Sequence, residues 1–331
     1  RLFLFLNVGT ATEPAFQLAD DDFLGMSQIA AATFNLAPAF GDIDGDGDVD
    51  LLVGEDFGMM YYFENLAGPG NPMQFAAHQY PYMNIDVGIA STPFLFDLNR
   101  DGRTDLIIGN RTGILHYFPN TGTPGLPFFQ AELSAPNVAF LGRVDARAPG
   151  FFSGYSAPVV LEADGEFQLF TGSEQGRIRS FSVWEADFEA PFPLLSDNWG
   201  GIAAGARSRP AFADLDSDGL LEVAVGNERG GIHIFATDLP AQAPNPVAEI
   251  PAASEVRVFP NPAREEVFFS LPEGFDATVV LQIFSSDGRL LRQALRLEPV
   301  WQESLVGLPA GLYFWRIQGK SGTYSGKVVK R

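Results

Sequence analysis

Apolar residues in this chain come in short runs closed by Gly, Asp, Asn or Pro. "DLLVG" (50–54), "DLIIG" (105–109) and "LEVAVG" (221–226) are too short for helices and rich in β-branched side chains, so they predict strands. Runs such as "ILHYF" (114–118) alternate apolar and polar positions and predict further strands. No run of about 18 apolar residues occurs, so no membrane-spanning helix is expected. The pattern as a whole predicts an all-β protein of many short strands joined by tight turns.

The runs recur as a unit. "PAFGDIDGDGDVDLLVGEDFGMMYYFEN" from Pro38 returns as "PFLFDLNRDGRTDLIIGNRTGILHYFPN" from Pro93 and as "PAFADLDSDGLLEVAVGNERGGIHIFAT" from Pro210. A weaker copy, "PVVLEADGEFQLFTGSEQGRIRSFSV" from Pro158, keeps the strands and shortens the acidic loop. Gly54, Gly109, Gly172 and Gly226 end the second strand of each copy, 55, 63 and 54 residues apart. Each then takes a G-x-x-x-G step into a third strand. "LFLFLNVGTATEPAFQ" from Leu2 matches "LHYFPNTGTPGLPFFQ" from Leu115, so the chain is expected to begin partway through a repeat, at its third strand. For the same reason the apolar start is not taken for a signal peptide. Arg1 at the first position suggests the C-terminal part of a longer precursor, with further units upstream.

Three copies place side-chain oxygens at alternate positions of one loop. They read Asp42, Asp44, Asp46, Gly47, Asp50; then Asp97, Asn99, Asp101, Gly102, Asp105; then Asp214, Asp216, Asp218, Gly219, Glu222. In each D-x-[DN]-x-D-G-x-x-[DE] loop, positions 1, 3 and 5 supply oxygens and glycine makes the sharp turn. Position 7 (Asp48, Arg103 or Leu220) offers a backbone carbonyl, and the acid at position 9 closes the shell. A turn needs one or two such residues, and this much like charge is tolerable only around a cation. Oxygen-only donors suit calcium, at about three sites, better than zinc, copper or magnesium. Position 12 is Val53, Ile108 or Val225, inside an apolar strand, where an EF-hand would carry Glu. The Pro158 copy retains only Glu162, Asp164 and Glu166 and reads as a plain turn.

Composition narrows the partners. The 331 residues carry a formal net charge of −20, which disfavours nucleic acid and anionic membrane surfaces. There is no cysteine, so disulfides, thiolate metal sites and thiol catalysis are excluded. His116 and His233 share one repeat position that Phe3, Tyr61 and Arg179 fill elsewhere, which marks packing and not catalysis. No G-x-S-x-G, P-loop or H-E-x-x-H occurs, so no enzyme is expected. Tyr80, Tyr82, Phe128, Phe129 and Trp199 are candidates to stack on sugar rings or to cap gaps between repeats.

The repeats resemble the FG-GAP or VCBS family of calcium-loop β-propellers over residues 1–240. That resemblance implies blades with calcium in rim hairpins, a scaffold or a protein- or glycan-binding role, and no catalysis. Calcium's contribution is then mainly mechanical.

Residues 241–255, "AQAPNPVAEIPAASE", lack apolar periodicity and read as a linker. About seven strand-like runs follow in 256–331, including a hairpin at "SSDGRLL" (285–291) and "LYFWRI", where Tyr313, Trp315 and Ile317 share one face. They predict a small Ig-like β-sandwich. "FPNPA" (259–263), "LPAGLYFWRI" (308–317) and the basic end "KVVKR" (327–331) resemble the type A C-terminal sorting domain of type IX secretion cargo. The resemblance implies secretion machinery as a partner and a secreted or outer-surface protein of a Bacteroidota-type bacterium. The expectation for the whole is a partial β-propeller followed by a sandwich, acting in adhesion or in binding an extracellular glycan or protein. The alternative is the non-catalytic scaffold tail of a secreted enzyme whose catalytic domain lies upstream.

Overall fold

The computed structural model describes residues 1–163, 165–241, 256–259, 263–271, 279–285, 289–296, 300–319 and 322–331. The chain divides into a unit at Arg1–Val247 and a second at Ala248–Arg331. The boundary falls inside the expected linker, of which only Ala241 is among the described residues.

The first unit is a series of small antiparallel sheets. β1 (Leu4–Asn7) pairs with β2 (Phe16–Asp20), followed by a single helical turn at Met26–Ile29. Then come β3 (Ala37–Gly41), β4 (Asp50–Gly54) and β5 (Met60–Phe63); then β6 (Thr92–Phe96), β7 (Asp105–Gly109) and β8 (Leu115–Phe118). The Pro158 copy has four strands, β9 (Ala157–Ala163), β10 (Glu166–Gly172), β11 (Arg179–Ser182) and β12 (Leu194–Ser196). The last sheet is β13 (Arg209–Ala213), β14 (Leu220–Gly226) and β15 (Ile232–Pro240). The expected partial repeat plus four copies are therefore five separate sheets.

Register repeats with sequence. Gly41 pairs with Asp50, Phe96 with Asp105 and Ala213 with Glu222, while Ala37, Thr92 and Arg209 pair with the three strand-ending glycines. Every residue of β4 and β7 is buried, because each of these sheets is covered on both faces. Leu52 and Met60 of one sheet pack with Leu106, Ile108 and Phe118 of the next, and Ile107 and Leu115 with Val160, Phe167 and Leu169 of the one after. Two-sided burial removes the polar alternation a half-solvated strand would show. The last sheet differs: Ile232 and Ile234 are 66% and 51% exposed.

A serine joins each of the last three copies to the one before. Ser91 Oγ donates to Met59 O at 2.8 Å, Ser156 Oγ to Ile114 O at 2.7 Å and Ser208 Oγ to Arg177 O at 3.1 Å. The same hydroxyls accept from the backbone N–H of Glu55, Asn110 and Ser173, the residues just after the strand-ending glycines. All three serines are fully buried.

Two of the five candidate sugar-stacking aromatics are core residues. Tyr82 and Phe129 are 1% exposed and sit edge to face at 6.3 Å, with Tyr82 also 4.6 Å from the Tyr62 ring. Tyr80 stacks on Tyr61, and Trp199 packs between Phe170 and Phe212. Tyr80 is nonetheless 39% exposed. Phe128 stays 55% exposed.

Among its described residues the second unit has seven strands: β16 (Arg257–Phe259), β17 (Glu266–Ser270), β18 (Val279–Ser285), β19 (Leu290–Arg296), β20 (Val300–Ser304), β21 (Gly311–Gly319) and β22 (Gly322–Lys330). They form two antiparallel sheets, ordered β16-β17-β20 and β19-β18-β21-β22. One apolar cluster joins them, with Val267, Phe269 and Trp301 from the first and Leu281, Ile283, Tyr313, Trp315 and Ile317 from the second. Tyr313, Trp315 and Ile317 thus share a buried face. Pro260–Pro262 of "FPNPA" and residues 286–288 of the expected hairpin turn lie outside the described residues.

Candidate metal centre

Each acidic loop links the first and second strands of its sheet, and one hydrogen-bond pattern holds all three. The position 1 carboxylate accepts from the turn glycine: Gly47 N to Asp42 Oδ2 at 3.0 Å, Gly102 N to Asp97 Oδ2 at 2.8 Å, Gly219 N to Asp214 Oδ2 at 3.1 Å. Position 3 accepts from position 5, with Asp46 N on Asp44, Asp101 N on Asn99 and Asp218 N on Asp216. Position 5 accepts from position 7, with Asp48 N on Asp46, Arg103 N on Asp101 and Leu220 N on Asp218. These short acids turn the backbone by capping their own following amides. The glycines have φ of +90°, +81° and +87°, the left-handed region where a side chain is strained.

The fold brings the oxygens together. Carboxylate oxygens of Asp42, Asp44 and Asp46 lie within 4.8 Å of one another, and so do those of Asp214, Asp216 and Asp218. Asp214 Oδ1 is buried without a hydrogen-bond partner, as is Oδ1 of Asp48. Burial, with the charges of Asp46 and Asp42, holds the Asp44 carboxyl above its ordinary range. Converging acids with orphaned buried oxygens fit a hard divalent cation, which would supply the missing positive charge. Asp42, Asp44, Asp46, Asp214, Asp216 and Asp218 would hold it.

The second loop is arranged differently. Oδ2 of Asp101 accepts from Arg103 Nη2 and from Asn99 Nδ2 at 3.0 Å, so its charge already has a partner. Arg103, expected only as a carbonyl donor, also reaches Asn120 O at 2.6 Å. Its arginine sits where the other loops carry Asp48 and Leu220.

Position 9 has a role the sequence did not signal. Asp50 is 1% exposed and accepts from Ile43 N at 3.1 Å and Asn65 N at 2.8 Å. Asp105 accepts from Leu98 N at 3.1 Å, Asn120 N at 2.8 Å and the Tyr117 hydroxyl at 2.8 Å. Glu222 accepts from Leu215 N at 2.8 Å. These acids brace the loop, and the two aspartates tie it to the end of the third strand. Burial pushes Asp50 and Asp105 up to about 6 against those hydrogen bonds. A neighbouring cation would oppose that rise.

Asn7, Asn65 and Asn120 were also missed. Each amide oxygen accepts two backbone N–H groups of the loop after the third strand: Gly9 and Ala15, Ala67 and Gln74, Gly122 and Phe128. Their equal placement in the repeats was the available signal.

The Pro158 copy closes with Ala163 paired to Glu166 and has no comparable cluster among its described residues; Asp164 lies outside them. Its Glu162 is neutralised by Arg100, which also binds Glu185 at 2.6 Å and lies 3.7 Å over the Phe167 ring. His116 is buried, and its Nε2 accepts from Asn110 Nδ2 at 3.1 Å.

Comparison with known proteins identifies the second unit. Residues 257–331 match the family described as the secretion system C-terminal sorting domain. The chain is therefore a secreted or cell-surface protein of the Bacteroidota, exported through a type IX sorting tail. A stretch is 37% identical over 100 residues to karilysin of Tannerella forsythia, covering 25% of this chain and 21% of that protein. The match thus spans about a fifth of the relative's length. Among solved structures, PorZ of Porphyromonas gingivalis, described as a surface component of the type-IX secretion system, aligns with 89% of this chain and 44% of its own at 15% identity and a TM-score of 0.26. The SapL1 lectin in complex with alpha methyl fucoside aligns with 89% of this chain and 96% of its own, at 12% identity and 0.32. An arginine-to-alanine mutant of AofleA from Arthrobotrys oligospora aligns with 90% and 88%, at 12% and 0.33. Among the described residues no helix is long and apolar enough to cross a membrane.

Proposed function

We propose that residues 1–240 are FG-GAP- or VCBS-type propeller blades stabilised by calcium, and that the protein is a non-enzymatic module for adhesion or for binding glycans or proteins outside the cell. Residues 256–331 are then an Ig-like sandwich that engages the secretion machinery. The observation that carries the reading is the threefold recurrence of one loop geometry, with side-chain oxygens converging at Asp42–Asp46 and Asp214–Asp218. A protein without cysteine gains from metal what others gain from disulfides. Each site adds about 1.4 kcal/mol when calcium is about tenfold above Kd.

Thermal unfolding of the full chain over a calcium titration, with magnesium as control, tests this. One transition rises with calcium and not with magnesium, and Asp42→Ala and Asp214→Ala each remove part of the rise. Asp97→Ala removes less, because Arg103 already serves its loop. A melting curve indifferent to millimolar calcium sinks the reading.

A further inference from the structure

At the opposite end of β10 from its hairpin with β9 lies an open cavity of about 850 Å³, within the size range of small-ligand sites. It is lined by the loop before β9, the turn from β10 to β11, and Asp197 after β12. Its lining carries three arginines, Arg147, Arg177 and Arg179, against two aspartates, Asp145 and Asp197, in a chain whose net charge is −20.

The arginines are held in a connected network. Asp197 bridges Arg177 Nη1 at 3.0 Å and Arg179 Nε at 2.9 Å. Arg179 Nη1 donates to Asp145 O and to Arg147 O, and the Asp145 carboxylate fixes the Nε and Nη2 of Arg147. Asp145 is pushed up by burial, but Arg147 and Arg179 outweigh that and hold it below its ordinary range. The network leaves Arg147 Nη1 and two nitrogens of the half-exposed Arg177 free to donate. One apolar group stands beside them, Phe151, 55% exposed at the rim.

We propose that this cavity binds a carboxylate-bearing sugar. Arg177 and Arg147 take the carboxylate, since a guanidinium fork matches its two oxygens. The outer oxygens of Asp145 and Asp197 accept from the ring hydroxyls. Phe151 covers the apolar face of the ring. Donors, acceptors and an aromatic together suit a polyhydroxylated anion better than a bare one. The inference rests on the reading of the protein as an extracellular binding module and names its ligand class.

The test is calorimetric titration of the full chain, in calcium, with methyl galacturonoside, N-acetylneuraminic acid, methyl galactoside and sulfate. One or both acids bind, the neutral sugar and sulfate at least about tenfold more weakly. Arg177→Gln and Phe151→Ala each weaken the acid about tenfold or more, with melting temperature unchanged. Which acid binds tighter identifies the source, uronate polysaccharide or sialylated glycan. No binding of either acid, equal binding of methyl galactoside or sulfate, or an indifferent Arg177→Gln variant overturns the proposal. Those results leave the propeller reading standing if calcium still raises the melting temperature; a calcium-blind melt sinks that reading and not the cavity.

Discussion

His116 shows how a repeat position can be marked for packing while its setting stays hidden. The sequence marks it as a packing position because aromatic and basic residues interchange there, and the structure buries it beside the Asn110 amide. Burial lowers its pKa from the ordinary value of 6.5. The folded protein therefore refuses a proton that the unfolded chain accepts. The associated stability is present above pH 6.5 and is lost as pH falls from there toward the folded value. Urea unfolding between pH 7.5 and 5 measures this, and His116→Phe, the residue that the first repeat carries at Phe3, flattens that part of the profile. A variant whose pH profile matches the parent would show that burial there does not select the neutral ring. Arg100 and Arg103 mark the limit of reading single residues. Both stand inside a loop motif in which their side chains had no assigned use. Only the fold reveals that one neutralises the shortened hairpin next door and the other an acid of its own loop.

At the level of the strand and the loop, the hydrophobic pattern and the period made the sheets legible. The joints between them were not. Ser91, Ser156 and Ser208 stand two residues before the prolines of the last three copies, yet a lone serine carries no sign that it faces the preceding repeat. The position 9 acids carry a second use that the sequence does not display. Metal ligand and backbone brace call for the same carboxylate, and only the placement of the Asn65 and Asn120 amides reveals the brace. The strand-ending glycines give a direct check on the joint. A methyl group on Gly109 would lie 2.3 Å from Ser156 O, whereas one on Gly226 meets nothing within 4 Å. Gly109→Ala is therefore expected to cost at least about 2 kcal/mol, since neither backbone can give way. Gly226→Ala stays within about 0.5 kcal/mol, as surface changes do. Chemical denaturation of the two variants compares them, and equal costs would remove the joint from the account.

Over the whole chain, two units divide the sequence, and the second carries the sorting domain. The tail was legible because its three short motifs fall at fixed places in one small fold, and the family match covers the same residues, 257–331. Each unit encloses its own apolar clusters. A protein ending at Val247 is thus expected to keep its calcium-responsive transition and to remain inside a Bacteroidota cell that exports the full chain. Immunoblots of cell and medium fractions, together with thermal unfolding, read the two effects separately. Export of the shortened protein would assign sorting to the first unit.

The serine and glycine at each joint have a consequence for how such a chain changes over generations. A unit that starts at its serine and ends beyond its glycine carries one half of a joint at either end. Copying or deleting such a unit as a whole restores a matched serine–glycine pair at every seam. A cut made anywhere else leaves a hydroxyl facing no carbonyl, or a side chain where only hydrogen fits. The number of repeats is therefore free to drift in whole steps, while the seam chemistry stays fixed.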